Sequence, residues 1–322
     1  MPLRAATNIV SKSKSSSRCK ELEGARTTST RSAVAAFEAH IRAKRAGSNS
    51  AIAAHDAEGV ASCWLSDVCI THTTHGQHNG EHTQGADVNL AILSAAFAAQ
   101  PDAAYNYVRE PERVKAVDAL GFASEEGRWG GSGTDAGQNA ATEERHGIYF
   151  AQWQRRRGKW LIKSELYVSG PSASQDQQAV GEAAAQIRTR RSLSNCAVAE
   201  HNIEAQACFW MPGYTNTNSS GATTSGRDAN KALVAASIAA HPDVRFERLA
   251  DRIEVDLEGA MAAELGRWEG GWSLDDGTAV VRSGRFCGQW LWVAEAGQWL
   301  LNSEIFVPEQ HDVVTSRLGS KL

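Results

Sequence analysis

The sequence predicts an α+β protein of two tandem repeats, each with helices first and an antiparallel sheet after them. Three observations carry that expectation. The chain matches itself at a shift of about 140 residues, in unbroken order. In each copy, apolar residues recur at three- and four-residue spacing in the first half, then give way to runs rich in aromatic and β-branched residues. Glycine-containing turns separate those runs. Gly130-Gly131-Ser132-Gly133 follows a strand-like run but opens no helix, so it is no phosphate-binding loop and the sheet is not a parallel nucleotide-binding one.

The elements follow in order. Val34, Phe37 and Ile41 predict an amphipathic helix over 31–45, continued helically from Ser50 to Trp64. Asn79-Gly80 marks a hairpin. Residues 86–99 predict a third helix, stopped by Pro101. Strands are expected over 114–117, 122–129, 146–154 and 160–168. The second copy repeats the pattern. Ser48-Asn49 answers to Ser194-Asn195, and His55 to His201. Glu125-Glu126-Gly127-Arg128-Trp129 answers to Glu264-Leu265-Gly266-Arg267-Trp268, and Gln152-Trp153 to Gln289-Trp290. Ser164-Glu165-Leu166-Tyr167-Val168 answers to Ser303-Glu304-Ile305-Phe306-Val307. The breaker-rich Ser169 to Ser174 reads as the joint. The expected division is a disordered N-terminal tail over 1–29, repeats at 30–170 and 174–310, and a C-terminal tail over 311–322.

Composition excludes several partners. The 33 Lys and Arg against 37 Asp and Glu give a net charge of −4, so no basic surface for nucleic acid is expected. The longest apolar run, Leu90 to Ala99, is far short of the roughly 20 residues that cross a bilayer, so no membrane partner is expected. The six cysteines show no zinc-type spacing and read as mostly buried thiols in a reducing compartment. The terminal Ser320-Lys321-Leu322 is the peroxisomal address, so the protein is expected in peroxisomes, and otherwise in the cytoplasm.

Three helices, then Gly-Arg-Trp in one strand, Tyr149-Phe150-Ala151-Gln152-Trp153 in the next and Trp160-Leu161-Ile162-Lys163-Ser164-Glu165-Leu166 in the last, resemble the SnoaL-like branch of the nuclear transport factor 2-like superfamily. The resemblance covers both repeats. It implies two cones, each a curved sheet wrapped around helices with a pocket inside. It implies either cofactor-free proton-transfer chemistry on a small apolar molecule, of isomerase, cyclase, dehydratase or hydrolase type, or a non-catalytic association module. Fold does not choose between them.

Strand alternation supplies candidate residues. Glu125 shares a face with small and aromatic neighbours, where desolvation would raise its pKa and make it a proton carrier. The competing reading ties it to a buried donor or an arginine. His72 and His75 belong to a histidine-rich hairpin which, by the resemblance, borders the pocket mouth. No metal or other cofactor is expected there. Trp129, Tyr149 and Trp153 are expected to wall the first pocket, with Glu264, Trp268 and Trp290 in the second. If His72 or His75 points into the first pocket, a His–Glu pair is kept in the first repeat alone, since the second copy lacks the histidines and has Gly213 in place of Asp67. The opposite face, with Arg128, Gln152, Arg267, Gln289, Glu165 and Glu304, is expected to dock the two repeats as an internal pseudo-dimer.

Overall fold

A computed structural model describes residues 15–72, 80–99, 107–133, 143–172, 174–310 and 313–316. The first repeat comprises α1 (Ser15–Ala53), α2 (Ala57–Ala61), β1 (Trp64–Thr71), β2 (His82–Gln84), α3 (Ala86–Ala99), β3 (Val108–Val117), β4 (Phe122–Gly133), β5 (Glu143–Arg156) and β6 (Lys159–Ser169). The second comprises α4 (Gln177–Ala199), α5 (Ile203–Ala207), β7 (Trp210–Thr217), β8 (Thr223–Ser225), α6 (Arg227–Ala240), β9 (Arg245–Asp256), β10 (Met261–Ser273), β11 (Thr278–Val293) and β12 (Gln298–Pro308). A last strand, β13 (Val313–Ser316), pairs with β11.

The strand order is β2-β1-β6-β5-β4-β3 in one sheet and β8-β7-β12-β11-β10-β9 in the other, so the copies share one topology. The fold is α+β in two repeats, with helices packed on each sheet: α1 lies along β3 and α4 along β9. The long helices turn Ile41 and Ile187 fully inward. Each sheet departs from the expected purely antiparallel pairing at one place. β1 runs parallel to β6, and β7 to β12, because a helix and the whole meander intervene before the last strand returns beside the first.

Local chemistry explains the elements and several corrections. The helix expected to continue from Ser50 to Trp64 breaks at His55, which has φ 54°. Asp56 then caps α2, accepting from the Gly59 amide. His201 has φ 54° as well, and Asn202 caps α5. The recurring His-Asp/Asn pair is therefore a turn-and-cap device rather than a residue pair inside a helix. Residues 15–29 are helical where a disordered tail was expected, an extension of the packed part of α1 that adds one hydrogen bond per residue fixed. Residues 313–316 form a strand rather than a tail. The glycine of each Gly-Arg-Trp run sits where the neighbouring strand presses in: a Cβ on Gly127 would lie 2.1 Å from the Glu110 carbonyl, and one on Gly266 2.1 Å from that of Leu249.

The sheets meet face to face. Ile148, Phe150, Leu166 and Val168 pack with Met261, Ala263, Leu265, Cys287, Ile305 and Val307 in one buried cluster. Polar contacts across it come in matched pairs. Gln152 donates to the Phe306 carbonyl at 2.7 Å, and Gln289 to the Tyr167 carbonyl at 3.2 Å. Thr71 meets Ser303 at 3.1 Å, and Thr217 meets Ser164 at 3.2 Å. Arg128 pairs with Glu254 at 2.6 Å. Arg267, expected on this face, pairs instead with Asp251 of its own sheet, and Arg285 reaches across to Glu126. Cys63, Cys69 and Cys287 are buried free thiols as expected, whereas Cys196 and Cys208 are exposed.

Candidate functional site

Each repeat buries an arginine between two carboxylates. Arg45, on the inner face of α1, donates through Nε and Nη2 to the two Glu125 oxygens at 2.8 and 2.9 Å, and its Nη2 lies 2.7 Å from Glu165 Oε1. Arg191, on α4, meets Glu264 at 2.6 Å and Glu304 at 2.8 Å. Aromatic rings enclose both guanidinium groups. Arg45 lies 5.2 Å from the Tyr149 ring centroid and 5.4 Å from that of Trp153, and Arg191 lies 5.3 Å from Phe286 and 5.2 Å from Trp290. A second arginine approaches from the third strand of each sheet. Ser48 and Asn49 hold Arg109, and Ser194 and Asn195 hold Arg248, which is the work of the repeated Ser-Asn dipeptide.

Glu125 therefore does not carry a proton to a substrate. It is fully buried, and Arg45, Tyr149 (2.7 Å) and Trp153 (2.5 Å) occupy its oxygens. Burial alone would raise its pKa. The Arg45 charge and the three donors outweigh burial and hold the carboxyl below its usual range. Glu264 is bound in the same way by Arg191 and Trp290. Tyr149, Trp153 and Trp290 clamp these ion pairs and do not line a cavity. Trp129 anchors Val168 through its indole N–H at 3.0 Å and stacks on Tyr107.

In each repeat a cavity lies between sheet and helix, with the second arginine in its lining. In the first repeat a cavity of about 280 Å³ is lined by Val60, Trp64, Ile70, Leu93, Phe97, Tyr107 and Tyr167, with His72, Asn89, Arg109 and Glu165 as its polar members. In the second, a cavity of about 340 Å³ is lined by Trp210, Val234, Phe246, Trp268, Trp272 and Phe306, with Tyr214, Asn216, Arg248 and Glu304 among its polar groups. Of these two cavities, that of the second copy is the roomier. The pocket carboxylates are Glu165 and Glu304, which alternation had assigned to the docking face. Glu304 accepts from Tyr214 at 2.5 Å, and burial, which would raise its pKa, is overcome by Arg191, Arg248 and that hydroxyl.

Of the remaining expected site residues, His72 lines the first cavity, and its Nε2 meets the Thr83 hydroxyl at 3.0 Å. Burial lowers its pKa, against the raising pull of Glu165. His75 lies outside the described residues. Trp268 lines the second cavity and donates to the Val307 carbonyl. Asp67 pairs with Lys163 at 2.7 Å and lines neither cavity. The residues that sequence reasoning missed are Arg45 and Arg191. Their signal was present, since they fall at the same shift as the matched Ile41-Arg42 and Ile187-Arg188.

Helices packed on a sheet of one six-strand order, with a cavity between them, occur twice in this chain, an α+β arrangement in two repeats. No protein-family model matches the chain, and no curated protein matches it. Solved structures do. A type 2 hexachlorocyclohexane dehydrochlorinase is similar at 11% identity and a TM-score of 0.39, covering 44% of this chain and 94% of its own. A type 3 enzyme of that name from Novosphingobium barchaimii is similar at 13% identity and a TM-score of 0.37, covering 42% and 91%. A ketosteroid isomerase-like protein from Erwinia carotovora atroseptica is similar at 13% identity and a TM-score of 0.35, covering 39% and 96%. These are likenesses of fold.

Proposed function

We propose that the chain binds small, mainly apolar molecules, one in each repeat. The observation that carries this reading is the 340 Å³ aromatic-walled cavity of the second repeat, with its smaller counterpart in the first. An association module would have its pockets filled by side chains. Here Trp153 and Trp290, expected as pocket walls, are fully buried against Glu125 and Glu264 and fill neither cavity. Leu93 and Val234 are equivalent cavity-lining residues on α3 and α6. Calorimetric titration with ethylnaphthalene is expected to show two sites, with Leu93→Trp and Val234→Trp each removing one. A doubly substituted chain that still binds overturns the reading.

The finer proposal places cofactor-free proton transfer in the first repeat, with His72 as the base. Its lowered pKa keeps it neutral near pH 7, and Glu165 lies in the same cavity. Solvent deuterium exchange into the α-carbon of a lipophilic ketone is expected to be lost in His72→Gln. Exchange at the parental rate in that variant overturns the assignment.

A further inference from the structure

Two buried polar atoms of the second cavity have no partner in the protein: the indole Nε1 of Trp210 and the side-chain Oδ1 of Asn216. Both residues line that cavity. Tyr214, Asn216 and Asn218 alternate along the end of β7 and its continuation, which brings them to one face, and Trp210 joins them by stacking on the Tyr214 ring at 4.9 Å. A buried donor or acceptor left bare costs free energy, and native proteins leave few of them.

The other principal polar groups of this cavity are engaged. The Tyr214 hydroxyl donates to Glu304, Arg248 is held by Ser194, Asn195 and Glu304, and His201 Nε2 meets the Val244 carbonyl at 2.8 Å. The two buried side-chain atoms left without a partner are one neutral donor and one neutral acceptor beside a largely apolar space.

Building on the binding role assigned to this cavity above, we propose that it recognises an uncharged, amide-type ligand, whose carbonyl accepts from Trp210 and whose N–H donates to Asn216. A carboxylate of the same shape offers no donor to the Asn216 Oδ1. A hydrocarbon leaves both protein atoms bare.

The first repeat sharpens the assignment. Trp64 opens β1 as Trp210 opens β7, its Nε1 is likewise buried without a partner, and it lines the first cavity. Ile70 stands there where the second copy has Asn216, since the two residues pair with the equivalent Glu165 and Glu304. The first cavity therefore keeps the donor and lacks the acceptor. The amide preference belongs to the second.

The test uses the full chain carrying Leu93→Trp, so that the second cavity is read alone, with naphthalene-acetamide, naphthalene-acetate and ethylnaphthalene as calorimetric probes. The amide is expected to bind about tenfold more tightly than either other probe. Trp210→Phe keeps a ring against Tyr214 and removes the N–H donor with part of the indole. That variant and Asn216→Leu are each expected to cost the amide several-fold more in affinity than they cost ethylnaphthalene, whose retained binding shows that the cavity is intact. An amide no tighter than the hydrocarbon, or either variant holding the amide at parental affinity, overturns the proposal while the binding role stands. If ethylnaphthalene fails to bind as well, the binding role falls with it.

Discussion

Arg191→Leu is expected to cost about 3–5 kcal/mol, a large share of the roughly 5–15 kcal/mol that holds a domain folded. Arg191 is 3% exposed and is the cation between two carboxylates that are themselves 0% and 1% exposed. Leucine fills much of the volume and leaves Glu264 with the Trp290 indole, and Glu304 with Tyr214 and Arg248. Both carboxylates would then ionise at a larger desolvation cost, beside each other. The loss therefore has a pH signature. In the parent chain Glu304 is held below its usual pKa, so its contribution is present at neutral pH and fades only in strong acid. Without Arg191 Glu304 should titrate upward, and the gap between variant and parent should narrow as the pH falls from 7.5 to 5. Glu264→Gln is expected to cost less, because Arg191 keeps Glu304. Urea unfolding followed by tryptophan fluorescence at the two pH values measures all three chains. A leucine variant as stable as the parent at pH 7.5 would show that the array adds nothing to stability.

The same array shows what the sequence made legible and what it did not. The tandem repeat, the α+β class and the late strands were written in periodicity and in turn residues, because those signals depend only on neighbours in the chain. The break between α1 and α2 has no such signal, and the expected helix runs on to Trp64, since the break depends on His55 adopting a left-handed backbone that only the following cap makes worthwhile. Glu125 was correctly seen as a buried carboxyl. Its partner, 80 residues away on the helix, decides whether burial raises or lowers its pKa, and no local pattern reports that. The cavity floor was misplaced for a related reason. Alternation along β6 puts Glu165 on one face with Lys163 only if the strand is regular, but the pairing of β1 with β6 shifts register between Trp64 and Cys69, and that of β5 with β6 between Gln152 and Trp153. Bulges of this kind turn a strand's faces over without any mark in composition.

A second large effect is expected from acid acting on the joint between the repeats. His82 stands on β2 of the first repeat. Its Nδ1 meets the Thr71 hydroxyl at 3.0 Å, Thr71 in turn meets Ser303 of the second repeat, and Asn302 of that repeat donates to the neighbouring Gly80 carbonyl. Burial pushes the His82 pKa down to about 4, with His72 adding to the fall and hydrogen bonding to Asn302 opposing it. An unfolded histidine titrates near 6.5, so between about pH 6.5 and 4 the unfolded chain binds a proton that the folded chain refuses. Stability is therefore flat above that window and falls as the pH drops through it, by about 3 kcal/mol in all at 1.36 kcal/mol per unit. His72, whose pKa is also lowered, adds a slope of the same sign. Protonating His82 places a charge against Thr71 and Asn302, two groups that carry none, at the seam where the sheets meet. His82→Asn is expected to flatten most of the dependence between pH 6.5 and 4.5 in urea unfolding, while His72→Asn flattens a separate part. If the parent chain and His82→Asn lose stability in parallel across that range, the buried imidazole is not what couples acid to the joint.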